Sequence, residues 1–251
     1  MVHPKWFFGK RSFSRILTMQ MMVEKKHRED IVRYGRCLYE RGFIAATDGN
    51  LSVRLDEERL LITPTCVCKG MMDPDDMVII DLDGHKLEGE RNVSSEVAMH
   101  LLIYRMRPDV WGIVHAHPPT ATGFAAAHIA LDQPLISEVV LTIGSVPLAT
   151  YACPGTEALP ESLRPFVAGH NAILMANHGV VAYGDNLDHA FMNMETVEHF
   201  AKIALVARTL GQPQVIVPEE VRKLEAIRRR LEANRRADRD NVRTMEVKSS
   251  A

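Results

Sequence analysis

Two short apolar runs most restrict how this chain can fold. Val110-Trp111-Gly112-Ile113-Val114 and Ala172-Ile173-Leu174-Met175-Ala176 lack the alternation of a half-exposed strand. They read as strands buried on both faces, which calls for a sheet covered by helices above and below. Histidine ends each run: His115-Ala116-His117 follows the first, and Asn177-His178-Gly179 closes the second. Side chains two apart on a strand share a face, so His115 and His117 can turn to one ion while Ala116 turns away. A glycine after His178 lets the chain turn. Ligand sites in α/β sheets gather at the carboxyl ends of strands, where these imidazoles fall. With eleven histidines in the chain, a lone His-x-His carries little weight. Strand-end rings bonded to backbone carbonyls are the competing reading.

Glu96 completes the set. In Ser94-Ser95-Glu96, a serine is a favoured N-cap, and Val97, His100, Leu101 and Tyr104 follow at helical spacings. The helix should end near Arg107-Pro108, because the residue before proline disfavours helical backbone. A helix start exposes free amides and a positive dipole end, so Ser94 and Ser95 can hold a phosphate there. An ordinary cap with an acidic first turn is the plainer alternative. Three imidazoles and one carboxylate supply the nitrogen and oxygen ligands of a catalytic divalent metal.

The remaining chain alternates helices and strands. Residues 24–41 read as an amphipathic helix with Ile31, Tyr34, Leu38 and Tyr39 inward, stopped by Gly42. Residues 51–55 and 60–62 suggest a hairpin, and residues 77–84 a strand ending in a tight turn. A helix over 118–128, a short strand over 146–149 and a long helix over 187–210 follow. In the last, Met192, Met194, Val197 and Phe200 are expected in the core. This order predicts an α/β fold of three layers, α/β/α, around a central mixed sheet. Three segments result: a poorly ordered leader over 1–22, a catalytic domain over 23–212, and a charged helix and tail over 213–251. The tail carries a sparse stripe of Val221, Leu224, Ile227 and Leu231, with disorder expected from Asp240. The leader has no signal-peptide pattern and suggests either an unstructured start or a domain beginning at Met19 or Met21.

Composition excludes several classes. Thirty basic against 32 acidic residues leave no electrostatic case for nucleic acid. No apolar stretch reaches membrane-spanning length. Cys37, Cys66, Cys68 and Cys153 lack disulfide spacing and suit a reducing cytoplasm; Cys66-x-Cys68 is a weak metal pattern.

The string Ser94-Ser95-Glu96, His100, Arg107-Pro108-Asp109 and His115-Ala116-His117-Pro118 resembles the class II aldolase/adducin family. So do Asn177-His178-Gly179-Val180-Val181 with Glu195 and Glu198, and the earlier Gly49-Asn50-Leu51-Ser52-Val53-Arg54 and Thr63-Pro64-Thr65. The likeness runs from about residue 25 to about residue 210. It implies the same three-layer fold, with zinc (manganese or another divalent ion in its place) on His115, His117 and His178. Glu96 would ligate the resting metal and then act as base. Asn50, Thr65, Ser94 and Ser95 would hold the phosphate of a sugar substrate. In the fuculose-1-phosphate aldolase-like branch the reaction cleaves a ketose 1-phosphate, such as fuculose or 5-deoxyribulose 1-phosphate. It yields dihydroxyacetone phosphate and an aldehyde through a metal-stabilised enediolate. The resemblance also implies a homotetramer with active sites between subunits.

Two departures stand out. Cys66 replaces the glycine that usually follows Thr63-Pro64-Thr65, where its Cβ would crowd a phosphate. The aldolases also use tyrosines to protonate the aldehyde oxygen; Glu138 stands at the first of these positions, and no tyrosine follows Tyr183. Glu138 is therefore the candidate acid. A decarboxylase, epimerase or dehydratase on the same scaffold is the alternative, and a non-enzymatic adducin-like scaffold is the alternative of another class.

Overall fold

A computed structural model describes the backbone of residues 8–249 and the side chains of residues 18–235 and 237. The part of the expected leader before residue 8 lies outside the described residues. At its centre is a mixed sheet of eight strands: β1 Asn50–Arg54, β2 Arg59–Ile62, β3 Val78–Asp81, β4 Lys86–Glu88, β5 Gly112–Ala116, β6 Leu148–Ala149, β7 Ala172–Met175 and β8 Gly179–Gly184. Their spatial order is β4-β3-β2-β1-β5-β8-β7-β6. The β6–β7 pair is parallel and the remaining pairs are antiparallel.

Alternation along the strands sorts the core into two halves. Leu51, Val114, Leu174 and Val180 join one cluster with residues of the helices α1 Phe8–Glu40, α3 Pro119–Ala126 and α6 Leu187–Leu210. Ile113, Ile173 and Val181 face the other way, into a cluster with α2 Val97–Met106 and α5 Ala158–Val167. The result is the α/β/α arrangement expected of strands buried on both faces. His115 follows Ile113 by two and so points to the α2 side. A short helix α4 Ser137–Thr142 packs against the terminal helix α7 Pro218–Ser249. No helix among the described residues is long and apolar enough to cross a membrane.

Some local expectations shift. α1 extends back to Phe8, and α7 runs on to Ser249, beyond Asp240. Tyr39 lies outward at 41 % exposure, because its ring lies over Gly70, where a Cβ would strike it at 2.5 Å. Met192 is half exposed, whereas Met194, Val197 and Phe200 are buried.

Candidate metal centre

The site forms where the carboxyl end of β5 lies beside the amino end of β8, since these strands run antiparallel with Ala116 opposite Val180. His115, His117 and His178 meet there with ring centroids 4.8 to 5.1 Å apart. Backbone and carboxylate contacts fix which nitrogen of two rings faces inward. His115 Nδ1 donates to the Val180 carbonyl at 2.9 Å, which leaves Nε2 bare. His117 Nδ1 lies 3.5 Å from Asp48 Oδ2, and its Nε2 lies 3.2 Å from His115 Nε2. Glu96 spans the opening: Oε2 is 3.2 Å from His115 Nε2, and Oε1 is 3.1 Å from His178 Nε2.

These spacings suit a cation. A tetrahedral ion with nitrogen ligands at about 2.0–2.1 Å leaves neighbouring ligand atoms about 3.3 Å apart, close to the three separations above. Electrostatics agree. Burial pushes the Glu96 carboxyl up, but His115 and His178 outweigh it and hold the group well below the usual carboxylate range. Burial pulls His115 down, yet Glu96 beside it raises it above the ordinary imidazole value. His117 is lowered to about 4 by burial and by the other two rings. The cluster thus sets an ionised carboxylate beside a neutral imidazole, a donor set that a divalent ion would suit. Outer-shell partners such as Val180 O and Asp48 orient metal-binding imidazoles in just this manner.

Local geometry differs from the sequence reading in two places. The left-handed residue of the β7–β8 turn is Asn177, at φ 54°, and its Oδ1 accepts from His128 Nε2 at 2.7 Å. Gly179 serves packing instead: a Cβ there would meet His117 Cδ2 at 2.4 Å and Ala116 O at 2.7 Å. The N-cap of α2 is Glu96 itself rather than a serine; Ser94 Oγ accepts from Glu96 N at 3.3 Å. A carboxylate displaced from the helix axis in this way can turn to the histidines.

The expected phosphate residues divide. Ser94 is buried, Ser95 exposed and Thr65 half-buried beside Cys66, which takes the left-handed φ of 57°. That conformation is why glycine suits the position. Asn50 lies across from His115 in the β1–β5 ladder, 2 % exposed, and its Nδ2 donates to Glu96 Oε2 at 2.8 Å. Glu138 stands apart, exposed in the first turn of α4. It lines a cleft of about 1150 Å³ with Arg41, Phe43, His199 and Lys202. The Phe43 carbonyl accepts from His117 N at 2.8 Å, which joins this cleft to the back of the metal centre.

Sequence reasoning passed over Asp48 and Lys69, and the buried role of Glu198. Lys69 is buried, its Nζ donating to the carbonyls of Thr47 and Val67 and so bracing the loop that carries Asp48. Glu198, 1 % exposed, accepts from Thr120 N and Ala121 N and fixes the start of α3 directly after His117-Pro118. Its place among the family landmarks was visible; its buried cap was not. A second acidic group, Asp81, Asp83 and His85, is a turn whose Asp81 carboxylate accepts from backbone N–H groups.

Comparison with known proteins agrees with this architecture. Residues 29–205 match the profile of the Class II Aldolase and Adducin N-terminal domain. The 5-deoxy-D-ribulose 1-phosphate aldolase of Bacillus thuringiensis serovar kurstaki is 35 % identical, over 81 % of this chain and 95 % of its own. The 3-oxo-tetronate 4-phosphate decarboxylase of Escherichia coli K12 is also 35 % identical, over 73 % of this chain and 88 % of its own. A solved L-fuculose 1-phosphate aldolase superposes with a TM-score of 0.75 at 34 % identity, covering 79 % of this chain and 94 % of that one. With its histidine cluster, its sheet and these matches, the chain belongs to the class II aldolase and adducin family.

Proposed function

We propose that this chain is a zinc-dependent carbon–carbon lyase that cleaves a ketose 1-phosphate to dihydroxyacetone phosphate and an aldehyde. One observation carries the reading: the two oxygens of Glu96 reach the inward nitrogens of His115 and His178 at 3.2 and 3.1 Å. A carboxylate so placed can leave the ligand position to an incoming substrate and remain within reach of its proton. Zinc held by His115, His117 and His178 would polarise a carbonyl and stabilise the charge that develops as the bond breaks.

This chain's residues do the rest. Glu96 moves the proton at the carbon left behind. Ser94, Ser95 and Thr65 bind the phosphate, joined by the second N–H of the Asn50 amide. In cleavage the hydroxyl of the departing half gives up its proton, the reverse of protonating the aldehyde oxygen in condensation. Glu138, the candidate acid for that oxygen, is our candidate to take the proton here, supplied across the subunit boundary of a homotetramer. A neighbouring negative charge or burial in that boundary would bring a glutamate to the pKa required.

The absence of tyrosine after Tyr183 favours a second reading, decarboxylation of a phosphorylated 3-oxo acid, which needs no proton relay at an aldehyde oxygen. Similarity to both an aldolase and a decarboxylase supports keeping both reactions in view. The test is a panel of phosphorylated ketoses with coupled detection of dihydroxyacetone phosphate, run beside carbon dioxide release from a phosphorylated 3-oxo acid. We expect cleavage of the phosphorylated ketose, far slower turnover of the free sugar, and loss of activity with chelator. Glu96→Gln should lose about 10²–10⁴-fold in rate while keeping most of its metal. Carbon dioxide without dihydroxyacetone phosphate would establish the second reading; turnover of neither would remove both.

A further inference from the structure

Behind Glu96 runs a buried chain of polar groups, of which the reaction above uses only Asn50. Asn50 Nδ2 donates to Glu96 Oε2 at 2.8 Å, and Asn50 Oδ1 meets His100 Nε2 at 2.5 Å. His100 Nδ1 lies 2.6 Å from Ser52 Oγ, which lies 2.9 Å from the Tyr104 hydroxyl. His100 and Ser52 are fully buried, Asn50 and Tyr104 nearly so. We propose that His100 is a positioning residue that locks the Asn50 carboxamide in one orientation and thereby aims the Glu96 carboxylate. The proposal rests on Glu96 being the base.

Donor and acceptor roles follow by elimination. An ionised carboxylate only accepts, so Asn50 must present its NH₂ to Glu96. Its carbonyl oxygen then faces His100, and Nε2 must carry the proton. The neutral ring is left with a bare Nδ1, which accepts the Ser52 hydroxyl; Ser52 in turn accepts from Tyr104. Every polar atom in the chain has one consistent role, and reversing any link would leave two acceptors or two donors facing each other in a dry interior. Burial, which lowers His100 to about 3, keeps the ring neutral throughout the working range. Without the His100 donor the amide can flip, turning its oxygen toward Glu96 and pushing the carboxylate off its line.

The topology explains why these groups meet. Asn50, Ser52 and Arg54 alternate along β1 on the face toward α2, and His100 and Tyr104, one helical turn apart, lie over them. Arg54 closes the stripe by donating to the Tyr104 carbonyl at 3.0 Å.

The test has an arm that needs no turnover. In metal-free wild-type protein labelled with ¹⁵N-histidine, long-range ¹H–¹⁵N spectra at neutral pH should show His100 as the Nε2–H tautomer. An Nδ1–H tautomer overturns the proposal. For the second arm, His100→Phe should lose about 10–100-fold in kcat with KM and bound metal nearly unchanged. His100→Gln, which keeps a donor for Asn50, should recover most of the rate. If His100→Phe and Asn50→Ala each cost about 30-fold in kcat, the double variant should also cost about 30-fold rather than the ~900-fold of independent effects. Multiplicative losses, or metal lost in step with rate, would also overturn it. Should His100→Phe fail to fold, the tautomer and His100→Gln still decide. A wild type inactive on every substrate removes the lyase reading alone, and a wrong tautomer in active enzyme removes the His100 role alone.

Discussion

His100 is an ionisable ring kept neutral in a core, and that state has a thermodynamic signature. Its folded pKa of about 3 lies below the unfolded value of 6.5. The unfolded chain therefore takes up a proton that the folded chain refuses, and stability falls as pH drops from 6.5 toward 3. Between pH 6.5 and 5 the loss from this one group is ~2 kcal/mol. Urea unfolding of chelator-treated protein should show it as a falling midpoint, with a flatter pH dependence in His100→Gln. Equal slopes in both proteins would mean that His100 is not buried neutral. The residue scale is also where the sequence was least legible. Alternation along Asn50, Ser52 and Arg54 shows that they share a face but not what covers it. His100 and Tyr104 cover it, from 50 residues away in sequence between His100 and Asn50. Matched polar stripes, two apart on a strand and four apart on a helix, were the signal that could have joined them.

Among elements, the β7–β8 turn does most to set the metal centre. The strands were legible from their unbroken apolar runs, and so was the meeting of His115 with His117. The turn was only half legible: glycine suggested flexibility, whereas Gly179 makes room for the His117 ring and Asn177 takes the left-handed backbone. Gly179→Ala should therefore act as a site mutation. It should leave a folded protein, lower metal affinity by ~10-fold or more through the displaced His117, and cut activity in proportion. Metal content after dialysis against a chelator-buffered ion measures this; unchanged content would mean the ring moves aside freely. The α2 start was misjudged for a related reason. A Ser-Ser pair is a good cap on propensity, but packing of Glu96 against the histidines draws the helix start past both serines.

Across the whole molecule, the three-layer order was legible because long-range burial is written into residue type, while the ends were not. The stripe of α7 is only partly covered, with Ile227 and Leu231 about two-fifths exposed, and Leu205, Val206 and Leu210 also face outward. These apolar side chains are compatible with the subunit contacts that we propose for a homotetramer. A different consequence follows from where the ligands lie. His115 and the Val180 carbonyl that orients it are 65 residues apart, so the ion's seat exists only once β5 has found β8. Such a distant pairing carries a large loop-closure cost and belongs late on the path to the native state. A ligand that first grips after the rate-limiting step leaves the folding rate alone and restrains escape from the folded state. Stripping the metal should thus speed unfolding in denaturant jumps while the refolding limb stays put, making the ion a latch on the finished sheet and not a seed for it.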